Sequence, residues 1–394
     1  MKILTFSSLY PNSRQASHGI FVENRLRQLL AYAPEVEARV IAPVPWFPFK
    51  HPAFGEYAKF AGVQSQETRH GIDVVHPRYL VIPKIGMSVT PTLLYRAVRD
   101  QVRAIRDNGF DFDLIDAHYF YPDGVAAMRL SEEFDRPFTV TGRGTDLNLI
   151  PQYAGPREKI LAVTRTAAHM MTVAGALKNY LLEMGVADER VTVLRNGVDL
   201  AFFQPLNDRD AMRRQLGYGQ RPTLLSVGHL IERKGHHLVI EAMAELPEFD
   251  LVIAGDGPEE GALKQLVDRL GLHSQVTFAG RLGQEALRQH YQAADALVLA
   301  SSREGWANVL LESMACGTPV VATPVDGTPE VVASPDAGRL TADRSAAGVV
   351  YAAKALFEQL PDREATRRYA EGFSWDATSQ GQLDIFRRAI GAAA

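Results

Sequence analysis

The sequence predicts an α/β protein made of two doubly wound domains, each a parallel sheet with helices between its strands. Three observations predict it. A short apolar run, a turn of Gly, Asn, Asp or Pro, and a segment with apolar residues at helical spacing recur in that order along the chain. Several of the apolar runs are continuous rather than alternating, as expected of strands buried on both faces. The whole series then starts again near residue 223. Strand–helix–strand order joins parallel strands through crossovers, which is the doubly wound arrangement.

In the first half, Ile3–Phe6, Ala38–Ala42, Leu114–Ala117, Phe138–Thr141, Met170–Val173 and Val191–Leu194 read as strands. Helical spacing appears in Phe21–Ala31, through Phe21, Leu26, Leu29 and Leu30, and in Leu93–Arg106, through Leu94, Val98, Val102 and Ile105. In the second half the strands are Thr223–Val227, Leu251–Ala254, Val276–Phe278, Ala296–Ala300 and Val320–Ala322. Helices are expected over about 234–245, 258–270, 284–293, 306–316 and 345–359. The turn-rich stretch Asn196–Pro205 suits a linker, which gives domains 1–200 and 201–374. A last helix over 375–390 has Leu383, Phe386 and Ile390 on one face. Two such domains can turn the C-terminal ends of their strands toward each other across a ligand-binding cleft.

Composition narrows the class. The 394 residues are 46% hydrophobic and 22% charged, as in ordinary globular proteins. With 42 Lys+Arg against 46 Asp+Glu, the net charge of −4 argues against a nucleic-acid binder. The single cysteine, Cys316, cannot form an internal disulfide, and the N-terminus lacks the apolar stretch of a signal peptide. No run of about 18 apolar residues suggests a membrane span. These features predict a cytoplasmic protein. Residues 1–170 carry 20 Lys+Arg and 17 Asp+Glu, a net of +3, which leaves −7 for the rest. Arg96, Arg99, Arg103 and Arg106 form a row at helical spacing. It is either a solvated face or a surface for anionic lipid headgroups.

The chemistry concentrates in Ser301–Val320. This segment follows an apolar strand and opens a helix near Trp306, with Glu304 in the loop and Glu312 within the helix. Unpaired amides at a helix start, with the positive end of its dipole, favour phosphate. Ionised carboxylates beside them accept hydrogen bonds from vicinal hydroxyls. A nucleotide sugar offers both a diphosphate and diols. Gly228–Gly235, after the first strand of the second half, adds Arg233 and Lys234, with Gly228 allowing close backbone approach. Gly255, Gly257 and Gly261 miss the dinucleotide spacing by one residue, so NAD binding is not expected. Asp111-Phe-Asp113 resembles a metal-binding carboxylate pair, but it stands at the start of a strand, away from the ligand edge.

The combination of Glu304-x7-Glu312, Lys234-Gly235, Gly255-Asp-Gly-Pro258, Cys316-Gly-Thr-Pro-Val-Val-Ala322 and Asn196-Gly-Val-Asp199 resembles the family-4 retaining glycosyltransferases of the GT-B fold. The resemblance implies a nucleotide-diphosphate sugar as donor, with the final helix packing back on the first domain. It implies that Glu312 holds the ribose hydroxyls, and that Glu304 with the Gly305, Trp306, Ala307, Asn308 and Val309 region meets the transferred sugar. Lys234, assisted by Arg233 and Gly228, would neutralise the departing diphosphate. His118, in Asp116-Ala-His118, matches the family's histidine near the reacting carbon. The loop ending at Gly19 matches the one where donor and acceptor meet. Arg143 and Asp146 occupy a motif that often begins with His, on the acceptor side. Trp46, in the aromatic, Pro-rich stretch Pro43–Pro52 with Phe54, Tyr57 and Phe60 after it, is a second acceptor-side candidate, or part of a membrane-facing lip.

Departures from the family's pattern include His229 for a common Arg, Asp326 for a common Gly, and Ala307 for Pro or Gly. No cofactor and no metal are expected, since the donor is a substrate. The expected function is transfer of a hexose from a UDP- or GDP-sugar to a glycan or lipid-linked acceptor in bacterial surface-polysaccharide synthesis, with a possible anionic membrane surface as partner. The alternatives are a nucleotide-sugar 2-epimerase of the same fold and a non-catalytic nucleotide-sugar binder.

Overall fold

The continuous apolar runs become the central strands of two parallel sheets. The computed structural model describes every residue except 48, 50, 52–55, 82–85 and 393–394, together with the side chains of 56 and 57. Phe54 and the side chain of Tyr57 therefore lie outside the described residues. The chain divides into two units, one formed by 1–196 and 375–394 and the other by 197–374.

The strands of the first unit are β1 (Lys2–Phe6), β2 (Glu37–Ile41), β3 (Val44–Pro45), β4 (Gln66–Arg69), β5 (Ile72–Val75), β6 (Arg78–Tyr79), β7 (Leu114–His118), β8 (Phe138–Gly142), β9 (His169–Thr172) and β10 (Val191–Val193). β3 and β6 pair with each other, and the other eight lie in the order β10-β9-β8-β7-β1-β2-β5-β4. All the pairings are parallel except that of β4 with β5. β7 and β8 are buried along their whole length. Their polar residues, Asp116, His118, Thr139 and Thr141, are therefore buried along with the apolar ones.

The β4–β5 hairpin was not expected from the sequence. Its two central residues, His70 and Gly71, both have left-handed φ, 51° and 81°, the requirement of the tightest hairpin turns. The His-Gly pair between two four-residue runs was the available signal. Between β1 and β7 the chain order reverses, which makes the C-terminal ends of these strands the switch point of the sheet. The helix Trp375–Gly391 belongs to this unit, where Leu383 and Phe386, with Ile390 at the margin, pack against Ile3, Leu29, Leu114 and Met171.

The second unit contains β11 (Thr223–Val227), β12 (Asp250–Ala254), β13 (Val276–Gly280), β14 (Ala296–Leu299), β15 (Val320–Ala322) and β16 (Gly338–Leu340). Their order is β13-β12-β11-β14-β15-β16, all parallel. One side of this sheet is covered by the helices His236–Met243 and Ala346–Glu358, through Val239, Ile240, Met243, Val349, Ala353 and Leu356. Each of these side chains larger than alanine contributes about 1.5–3 kcal/mol by leaving water. The switch point here lies between β11 and β14.

Backbone packs on backbone at this edge. A Cβ on Gly255 would stand 1.9 Å from the Gly228 carbonyl oxygen, and one on Gly235 would stand 2.0 Å from that of Ala300. The expected helix at 306–316 runs over Asn308–Ala315, because Ala307 keeps non-helical angles. β16 and the helix Arg363–Glu371 were not read from the sequence. No described helix is long and apolar enough to cross a membrane.

Candidate active site

In the second unit, Lys234 leaves the short helical turn after β11, and Glu304 leaves the loop after the neighbouring β14. Gly235 (φ 72°) turns the chain sharply into the next helix. The carbons of the Lys234 side chain lie 3.4–3.5 Å from the position of a Cβ on Gly228, ordinary van der Waals contact, so the φ of 152° rather than crowding favours glycine there. Lys234 Nζ meets Glu304 Oε1 at 2.6 Å, and Ser301 Oγ donates to the same oxygen at 2.6 Å. Glu304 is only 8% exposed. Burial alone would raise its pKa, but the Lys234 charge and the hydrogen bonds from Lys234 and Ser301 outweigh that, and the carboxyl is held below the ordinary range. Glu304 is therefore ionised, and a weak base.

Arg233 does not point its whole guanidinium at a ligand, since Nη1 donates to the Arg303 carbonyl at 2.9 Å. Glu312, one turn into the helix Asn308–Ala315, accepts a hydrogen bond from Tyr291 Oη at 2.9 Å. Burial pushes its carboxyl up to about 7. Gly305, Asn308 and Val309 are half-buried beside it, whereas Ala307 and Trp306 are buried. The Trp306 ring stands 6.2 Å from Phe373, so its buried side chain is a packing element. His229, the departure from the common Arg, lies 3.8 Å from Asp256, and Arg281 reaches the other oxygen of Asp256 at 3.6 Å. Arg281 is a cation at the C-terminal edge that the sequence reading missed.

In the first unit the loops after β1 and β7 are tied together at the switch point. Ser8 donates to Asp123 Oδ2 through its amide (2.7 Å) and its hydroxyl (3.0 Å). Burial raises Asp123 to about 7. Gly19 (φ 63°) ends the first loop, and a Cβ there would lie 2.3 Å from the Leu9 backbone.

His118 ends β7 and is 1% exposed. Its Nε2–H faces Asp116 Oδ2 at 3.0 Å, and its Nδ1 accepts from Arg143 Nη2 at 2.5 Å. Arginine only donates, so this assigns the proton to Nε2. Burial lowers the imidazole to about 4 against the pull of Asp116, with Arg143 adding to the drop. Both ring nitrogens are engaged inside the unit, in a bridging arrangement.

That arrangement is a closed ring. Arg143 Nη1 donates to Asn196 Oδ1 (3.3 Å), and Arg25 Nη1 donates to the same oxygen (3.5 Å). Arg25 Nε donates to Gln382 Oε1 (2.8 Å), and Gln382 Nε2 returns to Asp116 Oδ2 (3.2 Å). Residues far apart in sequence thus meet in one buried polar network, of which only His118 and Arg143 stood out as candidates beforehand. Burial drives the Arg143 guanidinium well below its ordinary pKa, with the Arg25 charge adding to it.

Asp146 is fully buried. Its carboxylate accepts the amides of Phe120 (2.8 Å), Arg143 (3.0 Å) and Gly144 (2.9 Å). It clamps the loops after β7 and β8 together. Trp46 is not a member of the ring. It is 50% exposed, and its amide donates to the Tyr79 carbonyl at 2.6 Å. Asp111 pairs with Arg136 at 3.1 Å. Among the described residues no group of three or more His, Cys, Asp or Glu is arranged to hold a metal ion.

Residues 60–202 match the family described as Glycosyltransferase Family 4, and residues 208–373 match Glycosyl transferases group 1. A D-inositol 3-phosphate glycosyltransferase of Frankia alni is 31% identical over 409 residues, covering 95% of each chain. The putative teichuronic acid biosynthesis glycosyltransferase TuaC of Bacillus subtilis is 28% identical over 333 residues, covering 83% of this chain and 82% of its own. Among solved structures, Anabaena HepE in complex with UDP superposes with a TM-score of 0.74 at 21% identity, covering 98% of this chain and 99% of that one. A match along both units, with a relative above 30% identity over nearly the full length, fixes the family: the chain is a group 1, family-4 glycosyltransferase of the GT-B fold, an enzyme that uses a nucleotide sugar.

Proposed function

We propose that the protein transfers a hexose, with retention at the anomeric carbon, from a UDP- or GDP-sugar to a glycan or lipid-linked acceptor in bacterial surface-polysaccharide synthesis. The observation that carries the donor site is the Lys234–Glu304 pair, 2.6 Å apart on the two loops that diverge at the β11/β14 switch point. In this reading Glu312 takes the ribose diol, and the Gly305–Val309 backbone receives the diphosphate and the sugar. Glu304, ionised and weakly basic, accepts hydrogen bonds from sugar hydroxyls. Lys234, with Arg233 and Gly228, stabilises the negative charge that grows on the leaving diphosphate. No described carboxylate of this site suits a nucleophile, because Glu304 is committed to Lys234 and Ser301. That supports attack on the same face as the leaving group, with the departing phosphate taking the acceptor proton.

On the first unit, Gly19, His118 and Arg143 form the acceptor side, with Asp146 as a clamp beneath them. Exposed Trp46 and Phe49, 50% and 56% accessible, supply apolar surface in the same unit as exposed Arg96 and Arg99. These support contact with an anionic membrane, which sedimentation with anionic vesicles at low salt tests directly. Failure to sediment removes the membrane part. TuaC, named for a surface polymer, supports the polysaccharide reading. The Frankia relative, named for inositol phosphate, favours a phosphorylated polyol acceptor as the second reading.

The deciding experiment is a thermal-shift panel of UDP, GDP and their sugars, followed by transfer assays with glycan-lipid and inositol-phosphate acceptors. A donor at about 100 times its dissociation constant should stabilise the fold by about 2.7 kcal/mol. If no nucleotide or nucleotide sugar raises the melting temperature, the donor site assigned here is wrong.

A further inference from the structure

Each of the four consecutive residues Ser301–Glu304 is held by a hydrogen bond from outside the segment. On the Lys234 side, the Arg233 carbonyl accepts the Ser302 amide at 2.8 Å, and Arg233 Nη1 donates to the Arg303 carbonyl at 2.9 Å. From the other flank, the turn after β15 holds both ends. Thr323 Oγ1 donates to the Ser301 carbonyl at 2.6 Å, and Asp326 Oδ2 accepts the Glu304 amide at 2.9 Å. The loop that presents Glu304 is therefore pinned through its backbone, independently of the ion pair that fixes its carboxylate.

Asp326 has a φ of 42°, a left-handed conformation that glycine meets at least cost. A side chain at this position gives up some backbone ease, and what it adds in return is an acceptor that glycine lacks. We propose that Asp326 is a positioning residue for Glu304: its carboxylate, through the Glu304 amide, sets the orientation in which Glu304 meets Lys234 and the transferred sugar. This inference rests on the donor-site reading above.

Three substitutions separate the acceptor from the turn. Asp326→Gly keeps the left-handed turn and removes the acceptor. Asp326→Ala removes the acceptor and strains the turn. Asp326→Asn keeps both an amide oxygen and a residue type tolerant of this conformation. Hydrogen exchange at the Glu304 amide reads the bracing without reference to activity. Nucleotide release from UDP-glucose and GDP-mannose reads its consequence.

Asp326→Gly and Asp326→Ala should each speed Glu304 amide exchange at least tenfold. They should lower kcat about tenfold, with donor KM changed less than threefold. Asp326→Asn should keep the protection and at least a third of the turnover. A glycine variant that protects the Glu304 amide as well as the native chain overturns the proposal, as does one that retains full turnover while the alanine variant loses it, since the turn alone would then account for Asp326. Glu304→Gln is the reference. If it leaves turnover unchanged while Asp326→Gly still frees the amide, the bracing stands and the role assigned to Glu304 fails.

Discussion

Replacing Lys234 by alanine tests the site at its most connected point, because stability and turnover should both fall, for separable reasons. At 2.6 Å and an effective dielectric of about 20, the Lys234–Glu304 attraction is about 6 kcal/mol. Desolvation of the two ions offsets much of it. The alanine variant also leaves Glu304 buried with Ser301 as its remaining side-chain partner. Stranding a buried charge in this way costs about 3–5 kcal/mol, and the partial exposure of Lys234 points to the lower end. For a unit of this size about 3 kcal/mol lowers the melting temperature by roughly 6–12 °C. Adding Glu304→Gln to Lys234→Ala removes the stranded charge. The double variant should therefore recover part of the loss, with a coupling of about 2 kcal/mol in the thermal-denaturation cycle. Turnover should fall by about two to three orders of magnitude in the single variant, the usual effect of removing a group that stabilises charge in the transition state. A melting temperature within about 2 °C of native, additive behaviour in the double variant, or turnover within tenfold of native would each refute the reasoning for Lys234.

Asp123 and Glu312 both carry carboxyls raised to about 7 by burial. The folded state thus binds protons that the unfolded chain releases near pH 4, and their contribution to stability declines as pH rises from about 4 through 7. Thermal denaturation of Asp123→Asn and Glu312→Gln, taken against native protein from pH 5 to 8, should show each variant gaining relative stability with pH. A flat difference curve would count against the raised values. Nuclear magnetic resonance of His118 should show one tautomer, protonated on Nε2, and no titration between pH 5.5 and 8, because burial lowers the ring to about 4. A midpoint inside that range would break the ring assignment. Gly235→Ala should cost several kcal/mol or prevent folding, since its Cβ meets the Ala300 carbonyl at 2.0 Å and its φ is 72°. Gly261→Ala, with nothing within 4 Å and a helical position, should instead stabilise by about 0.5–1 kcal/mol in the same melting assay.

Most of the strands and helices were legible in the residues, for a local reason. Central parallel strands are short runs rich in apolar residues, and their helices repeat at 3.6 residues, so β11 and the helix Gln284–Ala293 could be bounded without knowing their neighbours. Elements made by pairing rather than by composition escaped, and so did helices such as Val125–Phe134, Ala154–Thr166 and Arg363–Glu371. The polar β4 exists because β5 lies beside it, and β16 is three residues added at a sheet edge. The candidates Lys234, Glu304 and Glu312 stood out for a similar reason, because they sit in short segments that follow the apolar strands β11 and β14. The sequence alone thus determined the fold class, the family and the residue types at the C-terminal ends of the strands. Tertiary structure alone decided which of those groups are spoken for. It gave both nitrogens of His118 to Asp116 and Arg143, turned Asp146 onto three amides, and brought Arg25, Asn196 and Gln382 into one ring across more than 350 residues. The physical reason is that a residue's type sets what it can donate or accept, whereas burial and partners, which depend on the whole chain, set what remains for a substrate.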